Sequence, residues 1–229
     1  AKMCAEFDAV VAVSEEDKAA LVEAGAPAEK ISVIPISVDS DQLAPVHPVP
    51  LANHILHIGT MYWPPNVDGI LWFIKEVYPL IRSRRPDVIF DVVGARPPEE
   101  VRALGGPGTG VNVTGYVEDT EPYMRQAGVM VVPLRAGGGM RVKILNSMSQ
   151  AMPIVSTTIG CEGIEVINGC HLFVADSPQE FAKATLQLLE DRTLAHQMGQ
   201  NGRQLVLSRY DYRSACTVYE DVYPMAVAR

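Results

Sequence analysis

Val131-Val132-Pro133-Leu134-Arg135-Ala136-Gly137-Gly138-Gly139-Met140-Arg141-Val142-Lys143 is the stretch on which the reading of this 229-residue chain turns. A short apolar run reads as a buried strand, three glycines follow, and a helical pattern opens at about Met140. Glycines allow positive φ and close approach of backbone to a ligand. A helix start presents unpaired N–H groups at the positive end of its dipole. Together these make a cradle for phosphate, to which Arg141 and Lys143 add mobile positive charge. Gly139 is not followed by Lys-Ser/Thr, so this is not a Walker A loop. The competing reading is a flexible turn; the place of the loop in the sheet favours the phosphate reading.

That place follows from the pattern on either side. Strands are expected at residues 54–58, 88–93, 111–114, 129–132, 154–156 and 171–174. Helices are expected between and after them, at 67–84, 99–104, 121–126, 140–151, 177–189, 193–207 and 212–227, with a turn near 162–167. Six strands joined by helices imply an α/β fold with a doubly wound, six-stranded parallel sheet, Rossmann-like, with right-handed crossovers. In the common order 3-2-1-4-5-6, a ligand binds beyond the carboxyl ends of the first and fourth strands. Those ends carry the loops at 59–66 and 133–139. Upstream, 8–13 and 31–34 read as two more short strands, with Ser14 capping a helix between them, and the proline-bearing stretch 41–50 reads as a linker. The chain begins at Ala1 inside running domain sequence, which suggests a piece of a longer protein: residues 1–45 a remnant and linker, 46–229 a nucleotide-sugar-binding domain.

Along the 140–151 helix, Met140, Ile144, Leu145 and Met148 fall on one apolar face, with Lys143, Asn146 and Gln150 on another. Arg141 falls on the apolar side of the first turn, where it either snorkels to solvent or meets an anion. In the other loop Gly59 and Thr60 follow the strand, Asn66 reads as a helix N-cap, and Trp63 reads as either a sugar platform or a domain contact. Gly115, Tyr116 and Val117 follow the third strand, where a nucleobase could lie against the backbone, with Asp119 or Thr120 as the next cap. The run Gly105-Gly106-Pro107-Gly108-Thr109-Gly110 imitates a nucleotide loop but precedes a strand, so it reads as surface.

A net charge of −8, from 19 Lys and Arg against 27 Asp and Glu, opposes a broad nucleic-acid-binding face. A 48% apolar content fits a packed core, and no run reaches the roughly 20 residues of a membrane span. The four cysteines form no CxxC pair, which suits a reduced, cytoplasmic setting and gives no zinc or redox motif. His54 and His57, three apart on one strand, point to opposite faces and make a poor metal pair. No GxSxG nucleophile elbow is present.

The segments Gly115-Tyr116-Val117-Glu118-Asp119, Val131-Val132-Pro133-Leu134, Gly137 through Met148, Pro153-Ile154-Val155-Ser156-Thr157 and Gly160-Cys161-Glu162-Gly163 together resemble the donor-nucleotide, C-terminal domain of retaining family 4 glycosyltransferases of GT-B architecture. Ile34-Pro35-Ile36-Ser37-Val38-Asp39 resembles the start of that domain. The resemblance implies a second, acceptor-binding domain, with residues 8–13 as its last strand and the 212–227 helix returning to brace it. It implies a nucleotide-sugar co-substrate (UDP-, GDP- or dTDP-linked), no metal and no other cofactor, and transfer with retention. Arg141 and Lys143 would be the catalytic cations. Gly137, Gly138, Gly139 and Met140 would hold the diphosphate, Asn146 the ribose, and Gly115, Tyr116 and Val117 the base, with Gly59 and Thr60 lining the site. Two glutamates usual in the family fall on Gly138 and Asn146, and the basic residues usual after the first strand are absent from 59–66, where Arg141 and Lys143 would substitute. A non-catalytic binding relative and a nucleotide-sugar epimerase are the alternatives. Peripheral association of the whole protein with a membrane, through its acceptor half, stays open.

Overall fold

The computed structural model of the chain describes residues 2–49 and 52–227. Helix α1 (Lys2–Glu6) leads into β1 (Val10–Ala12), α2 (Glu15–Glu23) and β2 (Ile31–Val33), and the two strands pair in parallel as a small sheet of their own. Ser14 caps α2, its hydroxyl accepting from the Asp17 N–H at 3.0 Å. There follow β3 (His54–Ile58), α3 (Pro64–Trp72), α4 (Tyr78–Arg84), β4 (Ile89–Val93), α5 (Glu99–Arg102), β5 (Val111–Gly115), α6 (Glu121–Gln126) and β6 (Ala127–Val132). The chain continues through α7 (Val142–Ser149), β7 (Ile154–Ser156), β8 (Phe173–Val174), α8 (Pro178–Glu190), α9 (Arg192–Leu205) and α10 (Tyr212–Val227).

The main sheet is all parallel in the order β5-β4-β3-β6-β7-β8. Counted from β3 this is the expected 3-2-1-4-5-6, so the crossover reverses between β3 and β6. Alternate residues serve opposite faces. Ile55, Phe90, Val92, Val129 and Val131 pack under α3, α4 and α8 with Phe73 and Phe181. Met130 and Val132 pack under α7 with Ile144, Leu145 and Met148. Both faces are covered, which is why the strands read as nearly unbroken apolar runs.

Local chemistry accounts for the departures from expectation. The helix expected at 67–84 begins three residues earlier, because Pro64 and Pro65 are pre-set for a first turn and need no N–H partners there. It is also interrupted by a π-helical turn, Phe73–Val77, in which the Tyr78 N–H reaches back to Phe73 C=O. Pro79 explains this: it has no N–H to give and its ring would crowd the preceding turn, so the helix widens there. At α8 the expectation holds fully: Ser177 accepts from the Glu180 N–H and donates to the Glu180 carboxylate, with Pro178 at the first position.

The stretch expected as a linker is docked. Val46 is buried, its N–H donates to Gln150 C=O at 3.0 Å, and the Val49 N–H donates to Arg125 C=O at 2.8 Å. Pro50, its last residue, lies outside the described residues. Helix α10 packs Ala215 and Val222 against Ile34, with Ala9 and Val218 beside them, so the C-terminal helix and the β1–β2 unit share a small core.

Candidate functional site

The two loops nominated by the sheet order meet. Strand β3 ends at Ile58 and β6 at Val132, as neighbours, and the chain leaving each turns over the carboxyl edge. Helix α3 lies so close to the β6–α7 loop that a Cβ at Gly69 would drive into the Pro133 carbonyl oxygen. From the other side Thr157 Oγ1 donates to Leu134 C=O, so the loop is pinned by the end of β7 as well.

Helix α7 begins at Val142, two residues later than expected, and Arg141 is its N-cap with extended backbone (φ −95°, ψ 96°). The glycines set this geometry. Gly137 and Gly139 have φ of 108° and 84°, and the chain uses that freedom to fold the loop back over the start of α7. The Arg141 guanidinium then closes it, its Nη1 donating to the carbonyls of Gly138 and of Gly139, the latter at 2.6 Å. Arg141 does not snorkel: it is only 7% exposed, and the Trp63 ring lies 5.3 Å from the guanidinium carbon. Its Nε and Nη2 are buried and make no hydrogen bond among the described residues. Burial pushes its pKa down, and the negative charge of Glu162 opposes that. Two unpartnered donors on a buried cation are a standing invitation to an anion.

Lys143, in the first turn of α7, reaches across to β3. Its ammonium donates to Asn66 Oδ1 at 2.8 Å and occupies the space beside Gly59, where a Cβ would come within 2.7 Å of Nζ. Positive charge thus reaches the loop after β3 from α7. Burial, then the nearby Arg141, lowers the Lys143 pKa to about 7. Asn66 is therefore not the N-cap of α3; Trp63 holds that position. The Asn66 amide is spent inside the site, with Nδ2 donating to Thr60 C=O at 2.8 Å and Oδ1 accepting from Lys143.

His57 borders the same space. Its Nδ1 lies 3.0 Å from Val131 C=O and so carries the proton, which leaves Nε2 as a buried acceptor without a partner. Burial, and then Lys143, hold its pKa well below 6.5. His54 instead engages Asp91 at 2.6 Å. The histidine spacing told of two faces but not that one of them would sit against the site.

The remaining expected residues are placed as follows. Asn146 is half-buried one turn beyond Lys143, with no side-chain hydrogen bond among the described residues. Gly115 has φ of 77° at the end of β5 and Tyr116 is 77% exposed, while Val117 is half-buried and packs against the small cluster that holds Val93 and Met124. Asp119 serves the start of α6, accepting from the Glu121 N–H at 2.8 Å. Thr60 and Gly138 are exposed, and Met140 is buried. Arg135 is committed elsewhere, to Asp68 at 2.6 Å. An open depression of about 650 Å³ lies at the amino edge of β5, lined by the glycines at 105, 106, 108 and 110. Only Arg102 brings charge there, so size does not make it the site; the 105–110 run is the surface loop expected.

The profile of the family described as "Glycosyl transferases group 1" matches residues 52–191. An uncharacterized 44.6 kDa protein in the cps region of Klebsiella pneumoniae is 25% identical over 165 residues, covering 69% of this chain and 42% of that protein. A glycosyltransferase from Rickettsia africae superposes with a TM-score of 0.81 at 17% identity, covering 96% of this chain and 63% of that one. Anabaena HepE, solved in complex with UDP and glucose, gives 0.73 at 19% identity, covering 94% and 63%. The two structural likenesses are of fold. The chain spans under half the length of the curated relatives it matches. Among the described residues no helix is long and apolar enough to cross a membrane.

Proposed function

The chain belongs to the group 1 glycosyl transferases, and on that premise we propose that it is the donor half of a retaining, family 4 transferase of GT-B architecture. Residues 46–229 bind a nucleotide-diphosphate sugar, and the glycosyl group passes to an acceptor held by a partner domain to which the β1–β2 unit belongs. The observation that carries this reading is Arg141: a buried guanidinium with two unpartnered nitrogens, folded against a glycine-rich loop at the point where the sheet order reverses.

The chemistry asked of this half is stabilisation of a leaving group. As the bond between sugar and diphosphate breaks, negative charge grows on the terminal phosphate oxygen. Fixed donors aimed at that position lower the barrier without reorganising, and they act more strongly in a water-poor site. The amides of Gly137, Gly138, Gly139 and Met140, the start of α7, Arg141 and Lys143 are those donors. Gly59 and Thr60 line the phosphate side, and Asn146 accepts a ribose hydroxyl. The backbone of Gly115, Tyr116 and Val117 receives the base. This half requires no metal, because cationic side chains carry the charge. We place the protein in the cytoplasm, with contact to membranes left to its acceptor half. A binding domain without turnover is the second reading, favoured by Asn146, which brings no charge to the ribose.

Calorimetric titration of the chain with UDP, GDP and dTDP tests the proposal. Micromolar to sub-millimolar binding of one of them, lost in Arg141→Met, is expected. A folded chain that binds none at millimolar concentration refutes it.

A further inference from the structure

Across the glycine-rich loop from Arg141 stands an unengaged carboxylate. Glu162 lies in the turn at 158–163 after β7, is exposed, and makes no hydrogen bond or ion pair among the described residues. Its Oε2 is 4.0 Å from where a Cβ on Gly138 would sit. Gly138 is not among the glycines with positive φ, so a side chain would be conformationally acceptable there; its absence leaves the gap between loop and carboxylate open.

A carboxylate at the rim of a phosphate cradle repels phosphate oxygens, so it does not serve the diphosphate itself. Ionised, it only accepts hydrogen bonds, and the complement of a pure acceptor is a cluster of donors. The sheet order says which end of the ligand could bring one. The base site proposed at β5 and the turn after β7 lie on opposite sides of the β3–β6 crevice that holds the diphosphate. A ligand lying from β5 through that crevice carries its far end, the polyhydroxy sugar, toward the β7 turn. The next residue, Gly163, sits against the side chains of Met140 and Ser14, so this end also faces the N-terminal segment. We propose that Glu162 is the specificity-determining residue that accepts hydrogen bonds from hydroxyls of the donor sugar. This rests on the donor-domain reading above.

The test is Glu162→Gln, isosteric on an exposed turn, measured by calorimetry on the 229-residue chain. The probes are UDP and UDP-glucose, GDP and GDP-mannose, and dTDP and dTDP-glucose. In the pair that the wild-type chain binds, affinity for the sugar conjugate should fall about tenfold, the scale of one or two charge-assisted hydrogen bonds. Affinity for the matching diphosphate should hold or rise, because a repelling charge has gone. A structural role would lower both together. An unchanged ratio, a joint fall, or a wild-type chain that binds diphosphates but no conjugate overturns the assignment of Glu162 alone. A wild-type chain that binds none of the six overturns the donor reading beneath it.

Discussion

Lys143 Nζ donates a 2.8 Å hydrogen bond to Asn66 Oδ1, joining the first turn of α7 to the first turn of α3 across 77 residues of chain. The bond crosses the crevice where the sheet order reverses. It is made by a mostly buried ammonium whose neighbours are a second cation, Arg141, and a neutral histidine, His57. Among the described residues no carboxylate pairs with it, so its proton is loosely held.

A pH dependence follows. With its pKa lowered to about 7, Lys143 sheds its proton in the folded chain at a pH where the unfolded chain keeps it. Between pH 7 and the ordinary lysine value the unfolded state binds more protons, so this group makes the folded, ligand-free chain more stable as pH rises. A bound diphosphate reverses the preference, since the anion favours the ammonium. Nucleotide binding should therefore take up a proton above pH 7, with affinity falling by up to about tenfold per pH unit there. Calorimetry in two buffers of different ionisation enthalpy measures the uptake, and Lys143→Met should abolish it. Uptake that survives in that variant would place the titrating group elsewhere.

Gly69→Ala tests the seam between α3 and the loop after β6. The added methyl would enter the space of the Pro133 carbonyl, a backbone atom that cannot swing aside. The expected cost is about 1–3 kcal/mol, the range for overpacking a close-packed contact. Urea unfolding with an unchanged m-value would read it out.

Trp63→Leu should loosen Arg141. The indole covers the guanidinium at 5.3 Å, and a buried cation–π contact is worth about 1–2 kcal/mol. A drop in thermal midpoint of a few degrees should accompany a several-fold loss in diphosphate affinity, with Trp63→Phe retaining most of both. Equal affinity in Trp63→Leu would mean that Arg141 holds its pose through Gly138 and Gly139 alone.

Asn146→Glu probes the ribose end. The Asn146 side chain is half-buried without a hydrogen bond, and a carboxylate there would accept from both ribose hydroxyls. Nucleotide affinity should rise about three- to tenfold. No gain would favour a site already adapted to asparagine.

The sheet was legible because its evidence is local and repeated. The runs at 54–58 and 154–156 are strand-length, apolar and flanked by turn residues, and both lie where expected. The helix at 121–126 was equally plain. What escaped was decided by partners distant in sequence. Asn66 looks like a helix cap because asparagine before an apolar stretch commonly is one; Lys143, which claims its oxygen, is 77 residues away. The start of α7 moved to Val142 because the Arg141 side chain bonds backwards to the loop, a choice that periodicity does not record. Glu162 carries no local signal of its own within Gly160-Cys161-Glu162-Gly163; only the folded chain brings the turn after β7 beside Gly138.

Gly59 and Lys143 share one space. The lysine's nitrogen sits where residue 59 would carry its first side-chain carbon. A larger residue at 59 shifts the ammonium, the movable end of a long side chain, away from Asn66, and a chain that loses the lysine opens a polar space beside His57 that a side chain from 59 could fill. In descendants of this sequence the residue at 59 should therefore decide whether the lysine at 143 still reaches the asparagine at 66.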